Sequence, residues 1–383
     1  MKKQKSQELN DFIAKNSTLS YAELSKELGI SVDSVRKRYR KLGLPHKRSG
    51  QISFQDVEVD IQKMINKSED SVLKKKYKLL LEKHESLEKR HSVSLGLTHT
   101  AHKIVPTKDD KSEATAFMLA SDWHTEESID PETINGLNQY NLSIASSRAD
   151  KFFSNGLKLV QMLQKELQID HLVIPLLGDL INGHIHEELM ESNELLPMDA
   201  IIFTQSLLVS GIDYILANSK VKITLVCHSG NHGRTTKDRR ISTEAGHSLE
   251  FLMYAYIKSY YKGNSRVEVQ VSRGYHSYMT LYDNFTLRFH HGHAIRYGGG
   301  VGGIYIPVNK AISQWNKVKH ADLDVFGHFH QFRDGGNFVS NGSLCGYNAY
   351  ALSIKADFEK PMQGFFLIDR KRGKTIVTKV FMD

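Results

Sequence analysis

Five short clusters of Asp, Asn and His punctuate the chain beyond residue 115, and each follows an apolar run. They are Asp122-Trp123-His124 after AFMLAS, Gly178-Asp179 after HLVIPLL, Gly230-Asn231-His232 after KITLVCH, His290-His291-Gly292-His293 after FTLRF, and Gly327-His328-Phe329-His330 after DLDVF. Continuous apolar runs of this length read as strands covered on both faces. Helical patterns over 144–167 and 200–217 separate the first three runs, the alternation of an α/β fold. In open α/β sheets ligands gather beyond the carboxyl ends of strands, so five such loops can meet in one cavity. VEVQVS, SYMTL, NFVSNGS and GFFLIDRKRGKTIVTKVF add strand patterns, with Asp283-Asn284 and Arg372-Gly373 as hairpin turns. The expected architecture is a layered β-sandwich flanked by helices.

The 383 residues exceed what one core usually serves, and 40% hydrophobic content with 17 Phe and 16 Tyr excludes a disordered or collagen-like chain. Cys227 and Cys345 cannot build a disulfide framework, which points to a reducing cytoplasm. No apolar run follows the basic N-terminus and no 18 apolar residues occur together, so neither a signal peptide nor a membrane partner is expected. The net charge of +8 is unevenly placed. Residues 1–113 carry 24 Lys and Arg against 16 Asp and Glu, whereas the remainder carries 27 of each. This asymmetry suggests a polyanion-binding front segment joined to a body with another task. The expected domains are a small all-α basic domain over 1–48, a charged helical spacer and linker over 49–113, and an α/β body over 114–383.

In the front segment, residues 7–15 and 21–28 read as amphipathic helices, Gly29 ends the second, and Ser31 caps a third, SVDSVRKRYRKLG. Val32, Val35, Tyr39 and Leu42 share one face of it and leave Arg36, Arg38 and Arg40 elsewhere. The run TLSYAELSKELGISVDSVRKRYRKLGLP resembles a homeodomain-like helix-turn-helix. That resemblance implies DNA as partner, with Arg36, Arg38 and Arg40 meeting phosphates. A three-helix protein-docking module would give the same pattern. The following segment, DSVLKKKYKLLLEKHESLEKRH, is a long charged helical pattern with Leu73, Leu80, Leu81 and Leu87. It reads as a spacer or, over 68–92, as a homo-oligomerisation helix.

A mixture of carboxylate, amide and imidazole donors suits divalent transition ions, and one carboxylate between two ions can bridge them. Such a pair polarises phosphoryl oxygen and generates a nucleophile near neutral pH, which makes phosphoester hydrolysis the natural reaction. The order D-x-H, G-D, G-N-H, H-G-H, G-H-x-H over about residues 116–346 resembles the calcineurin-like metallophosphoesterase superfamily. The resemblance implies a metallophosphoesterase fold and two divalent ions, Mn²⁺ foremost, with Fe, Zn or Mg as alternatives. By it, Asp122, His124, Asp179 and His330 hold one ion, and Asp179, Asn231, His291 and His328 the other. His232 would touch the phosphate and act as general acid. Where many such proteins follow G-N-H with an Asp or Glu that orients the histidine, this chain has Gly233-Arg234, which leaves the proton-transfer role of His232 open.

Other residues have blander readings. Asn182 either lines the pocket or caps its loop. His184 and His186 are substrate-side groups or solvated loop histidines, and Trp123 is read as a packing residue. Arg234, Lys237, Arg239 and Arg240 either grip a nucleic-acid backbone or form an exposed loop without a ligand. The stretch after G-H-F-H resembles phage and prophage phosphoesterases described as DNA exonucleases. That likeness implies DNA as substrate and a bacterial or phage-infected cytoplasm. Small-molecule or phosphoprotein phosphoesterases, and a DNA-binding regulator with a structural metal domain, are the alternatives.

Overall fold

A computed structural model describes residues 2–16, 19–44, 71–99, 111–282, 284–297 and 302–382. They belong to two compact units, Met1–Pro106 and Thr107–Asp383.

The first unit contains helices α1 (Lys2–Lys15), α2 (Tyr21–Leu28), α3 (Val32–Lys41) and α4 (Ser71–His99). A capping box starts α2: Ser20 Oγ accepts from Glu23 N, and Glu23 Oε2 accepts from Ser20 N at 2.7 Å. Gly29 ends it at φ +61°, a conformation that L side chains resist. Ser31 caps α3 through Ser34 N, so the helix begins where the sequence predicts. Ile13, Tyr21, Leu24, Val35 and Tyr39 are buried together, with Val32 and Leu42 packed against them and Tyr21 edge-on to Tyr39 at 5.1 Å. On α4, Leu80 and Leu87 are exposed within this chain. The side chain of Leu73 lies outside the described residues.

The second unit is built on two sheets. In chain order its strands are β1 (Glu113–Met118), β2 (Gln168–Leu176), β3 (Lys222–Cys227), β4 (Val267–Val271), β5 (Ser277–Leu281), β6 (Phe285–Phe289), β7 (Leu323–Phe326), β8 (Arg333–Asp334), β9 (Phe338–Ser340), β10 (Met362–Asp369) and β11 (Gly373–Phe381). One sheet has the order β11-β10-β1-β2-β3-β4, the other β5-β6-β7-β9-β8. Strands β1 to β4 run parallel, as do β6, β7 and β9, while β10 and β11 are antiparallel additions. The inner faces share one core, in which Phe117 of β1 stacks on Phe366 of β10 at 4.6 Å and on Phe289 of β6 at 6.4 Å. The sheets therefore form a sandwich. The hairpin β10–β11 turns just before Gly373, as its sequence predicts. The turn between β5 and β6 falls between the paired Leu281 and Phe285, and Asp283 itself lies outside the described residues.

Helices α5 (Leu142–Leu163), α7 (Pro197–Asn218) and α8 (Leu249–Tyr260) join the core of the first sheet. Between the first two lies the short helix α6 (Glu187–Ser192). Helix α9 (Tyr305–Trp315) packs Val308 and Ile312 on Phe326 and Phe338 of the second sheet, and a last turn, α10, spans Ala349–Ser353. By length and composition α7 could cross a membrane, yet Ala200, Leu208, Gly211, Ile212 and Ile215 are buried in this core. Gly211 lies against α5: a Cβ there would meet Phe153 Cδ2 at 2.0 Å.

Gly211→Ala therefore overpacks a ring that has no room to move. Despite alanine's better helix propensity, the variant should lose about 1–3 kcal/mol in urea unfolding. An unchanged midpoint would show that α5 and α7 separate freely.

Candidate dinuclear metal centre

Every candidate ligand lies just beyond the carboxyl end of a strand: Asp122 and His124 after β1, Asp179 after β2, Asn231 and His232 after β3, His291 after β6, His328 and His330 after β7. Their backbones are unusual. Eight non-glycine residues among those described have positive φ, and five are candidate ligands: Asp122 (+55°), His124 (+44°), Asp179 (+52°), His328 (+72°) and His330 (+53°). Left-handed backbone costs an L-residue roughly 1–2 kcal/mol. Such strain persists only where surrounding structure over-determines it, and it clusters at functional sites.

The over-determining contacts are between loops. Asp122 N donates to Gly178 O at 3.0 Å, Trp123 N to Asp179 O at 2.9 Å, and His328 N to Asp122 Oδ1 at 2.9 Å. His232 N donates to Asp179 Oδ1 at 2.7 Å. The glycines of the second and third clusters interlock. A Cβ on Gly178 would lie 2.2 Å from Gly230 N, and one on Gly230 would lie 2.0 Å from Asp179 Oδ1. The G-D and G-N-H glycines are thus required by backbone-to-backbone approach.

The side chains converge as three overlapping groups: Asp122, His124 and His330; His124, Asp179 and His232; and Asp179, His291 and His328. Within each group the candidate donor atoms lie within 4.8 Å of one another. His124 Nε2 and His330 Nε2 approach to 3.1 Å, with His330 Nε2 3.5 Å from Asp122 Oδ1. His291 Nε2 lies 2.9 Å from Asp179 Oδ2. Asn231 is also buried, and its Oδ1 has no hydrogen-bond partner among the described residues. A buried amide oxygen without a partner is costly unless something else meets it.

Oriented imidazoles complete the donor set. Nδ1 of His124 donates to Asn182 Oδ1 at 3.0 Å, Nδ1 of His232 to Asn182 O at 2.8 Å, and Nδ1 of His291 to Leu177 O at 2.7 Å. Each bond leaves Nε2 to serve the centre, the arrangement that fixes tautomer and direction in metal-bound histidines. Burial holds His124 and His328 well below the ordinary imidazole range and lowers His330 to about 4, so all three are neutral donors. Burial opposes charge on Asp179, but His291, His232 and His124 outweigh it and keep the carboxylate ionised. Burial raises Asp122 to about 7, with Asp179 adding to the rise and His291 opposing it. His291 also resists burial, pushed up to about 10 by Asp179 and Asp122. An ionised carboxylate, three neutral imidazoles, an unpartnered amide oxygen and a His291 that would exchange its proton for a cation fit two divalent ions, with Asp179 belonging to both sides.

Asn182 is an orienting residue. Besides its bonds to His124 and His232, its Nδ2 donates to Asn193 Oδ1 at 2.8 Å. The Asn182 carbonyl supplies the orientation of His232 that the missing acid after G-N-H left open. Trp123 is fully buried, donates Nε1 to Gln363 Oε1 at 3.2 Å, and packs edge-on to Phe152 and Phe153. His290 is buried against Phe326, 3.4 Å from Asp324, apart from the ligand groups. His184 is half-buried and His186 exposed.

Arg234 is bonded to carbonyls of its own loop. Its guanidinium donates to Asn231 O at 2.6 Å, Thr236 O at 3.2 Å and Lys237 O at 3.2 Å, folding the loop around itself. Arg239 donates to His293 O at 3.0 Å. On the first unit, Arg36 and Arg40 are exposed, while Arg38 is half-buried and donates to Asn10 Oδ1 at 2.9 Å.

Two buried carboxylates were not singled out from the sequence. Glu126 accepts from Asn182 N at 2.9 Å and Gly183 N at 2.8 Å, and so fixes the turn that orients two histidines. Glu250 on α8 accepts from Leu180 N at 2.6 Å and Gly230 N at 2.7 Å. Glu126, two residues beyond His124, could have been noticed as an acid inside a motif. Glu250 lies 71 positions from Asp179, within an ordinary helical pattern, and carries no local signal.

No family model and no curated protein matches the sequence. Solved structures that align with it include a Staphylococcus aureus protein described as a 5'-nucleotidase, in complex with alpha-ketoglutarate, at 10% identity and TM-score 0.30, over 71% of this chain and 55% of that one. A dimetal phosphatase from Danio rerio aligns at 11% identity and TM-score 0.34, over 72% of this chain and 100% of that one. The sulfate thiohydrolase SoxB of Thermus thermophilus, in complex with glycerol, aligns at 9% identity and TM-score 0.30, over 72% and 57%. The chain thus spans little more than half the length of the first and third.

If the left-handed ligand backbones are strained, a glycine should be easier to hold there than an alanine. His330→Gly should exceed His330→Ala in stability by about 1 kcal/mol in urea unfolding of the metal-free protein, after glycine's greater unfolded-state freedom is subtracted. Equal midpoints would remove the case for strain.

Proposed function

We propose that the chain is a metal-dependent phosphodiesterase that hydrolyses DNA. The observation that carries the hydrolase reading is the convergence of strained strand-end ligands into three overlapping groups, two of which contain Asp179. Asp122, His124, Asp179 and His330 would hold one divalent ion, Mn²⁺ foremost, and Asp179, Asn231, His291 and His328 the other. Together the ions would polarise the phosphoryl oxygens and lower the pKa of the attacking water. The protein's own part is orientation and proton transfer. Nδ1–H of His232 is held by Asn182 O, so the ring presents Nε2 beside His124, with ring centroids 4.7 Å apart. As imidazolium, which burial disfavours and Asp179 favours, His232 would give its Nε2 proton to the leaving oxygen and keep the Nδ1 proton.

DNA is favoured by the basic front segment. Residues 1–48 carry 12 Lys and Arg against 5 Asp and Glu, and Arg36 and Arg40 are exposed on α3. Lys237 and Arg240 add exposed cations on the loop that follows Asn231 and His232. A second reading, a small-molecule phosphodiesterase, draws on the neutral charge of residues 114–383 and on the self-contained bonding of Arg234.

With Mn²⁺ and bis(nitrophenyl) phosphate, Asp179→Asn should abolish turnover. His232→Asn should lower turnover on DNA by about 10²–10⁴ with metal content unchanged, and by less on nitrophenyl esters, whose leaving group needs no proton. Loss of metal from His232→Asn would contradict the assignment.

A chain shortened to begin near Lys111 tests the part of the front segment in binding DNA. It should keep hydrolysis of the nitrophenyl diester near the full-length rate but bind duplex DNA more weakly, with a salt slope shallower by several units, since each phosphate contact contributes about 0.9. Unchanged DNA affinity and slope would make the front segment a protein-docking or oligomerisation piece and leave the basic loop from Arg234 to Arg240 as the holder of the substrate.

A further inference from the structure

Glu250 lies on α8, outside every polar cluster, yet its carboxylate reaches between the two interlocked ligand loops. Oε1 accepts from Leu180 N, the residue after Asp179, and Oε2 accepts from Gly230 N, the residue before Asn231. The side chain is fully buried. One carboxylate thus clasps the amides adjoining two ligands from different strands, and this suits an anion: both partners are donors, and both oxygens are used.

The chain shows a complementary gap. A Cβ on Gly233 would lie 2.9 Å from Glu250 Cγ and 3.4 Å from Cδ, so the space beside residue 233 belongs to Glu250. Gly233 is not at positive φ, so crowding by Glu250, not backbone geometry, is what excludes a side chain there.

We infer that Glu250 is a positioning residue for the metal centre, holding Asp179 and Asn231 in register so that both can serve the second ion. The inference rests on the dinuclear reading above. Glu250 makes no contact with substrate in this account. It acts through the two loops, and supporting groups of this kind typically change metal affinity by about 10- to 100-fold.

The test is calorimetric titration of metal-free full-length protein with Mn²⁺, at a temperature where circular dichroism shows each variant folded. Glu250→Gln keeps the side-chain volume but turns an amide NH₂ toward a backbone N–H, so one bond of the clasp is lost. Wild type should bind two equivalents, and Glu250→Gln should bind the second about 10- to 100-fold more weakly. Gly233→Ala, which leaves the acid in place but crowds its Cγ, should shift affinity in the same direction by less, and it carries the test if Glu250→Gln does not fold. Gly211→Ala serves as control, because general destabilisation alone should leave Mn²⁺ affinity at the wild-type value. Wild-type affinity for both ions in Glu250→Gln, or in Gly233→Ala where only that variant folds, would overturn the inference. A wild type that binds fewer than two ions would overturn the dinuclear reading itself.

Discussion

The centre depends on backbone held where L-residues resist being held. Five non-glycine ligands at positive φ would each favour another conformation by roughly 1–2 kcal/mol, a large demand on a domain whose net stability is of order 5–15 kcal/mol. The sandwich can meet it because parallel strands deliver the loops side by side. Amide-to-carbonyl and amide-to-carboxylate bonds between neighbouring loops then fix the turns. A left-handed residue at a strand end reverses the chain sharply. This is how Asp122 with His124, and His328 with His330, can each supply two donors to one small volume from a three-residue segment.

Protonation and orientation follow from the same packing. Burial strips the proton from His124, His328 and His330, while the accumulated imidazoles keep Asp179 ionised despite its own burial. Carbonyl or amide oxygens hold the far nitrogens of His124, His232 and His291. Asp179, His124, His328 and His330 are thus in the form that cations require, His291 would exchange its proton for one, and ring directions are set by oxygens that are not themselves donors to the ions.

Much of this was legible in the sequence, for identifiable reasons. Apolar runs followed by short polar clusters located the strands and placed the ligands at their carboxyl ends, because strand burial and loop position both leave local marks. Ser31, Gly29 and the Val32–Val35–Tyr39–Leu42 stripe marked α3, since caps and 3.6-residue periodicity are local too. What escaped was non-local. Glu250 reads as one polar residue in a helix until the fold carries it to Gly230. The bonds of the Arg234 guanidinium to the carbonyls of Asn231, Thr236 and Lys237 leave no mark in the sequence. Asn182 could be seen near the site, but only the folded turn shows its side chain meeting one histidine and its carbonyl another. The two-residue strand β8 carries too little pattern to be read at all.

The central claim is that two cations share Asp179, and electron paramagnetic resonance of Mn²⁺-reconstituted protein tests it most directly. Two ions bridged by one carboxylate couple magnetically, so the account predicts a spin-coupled signal at two equivalents that becomes an uncoupled, single-ion signal in Asp179→Asn. An uncoupled signal from wild type at full occupancy would contradict it.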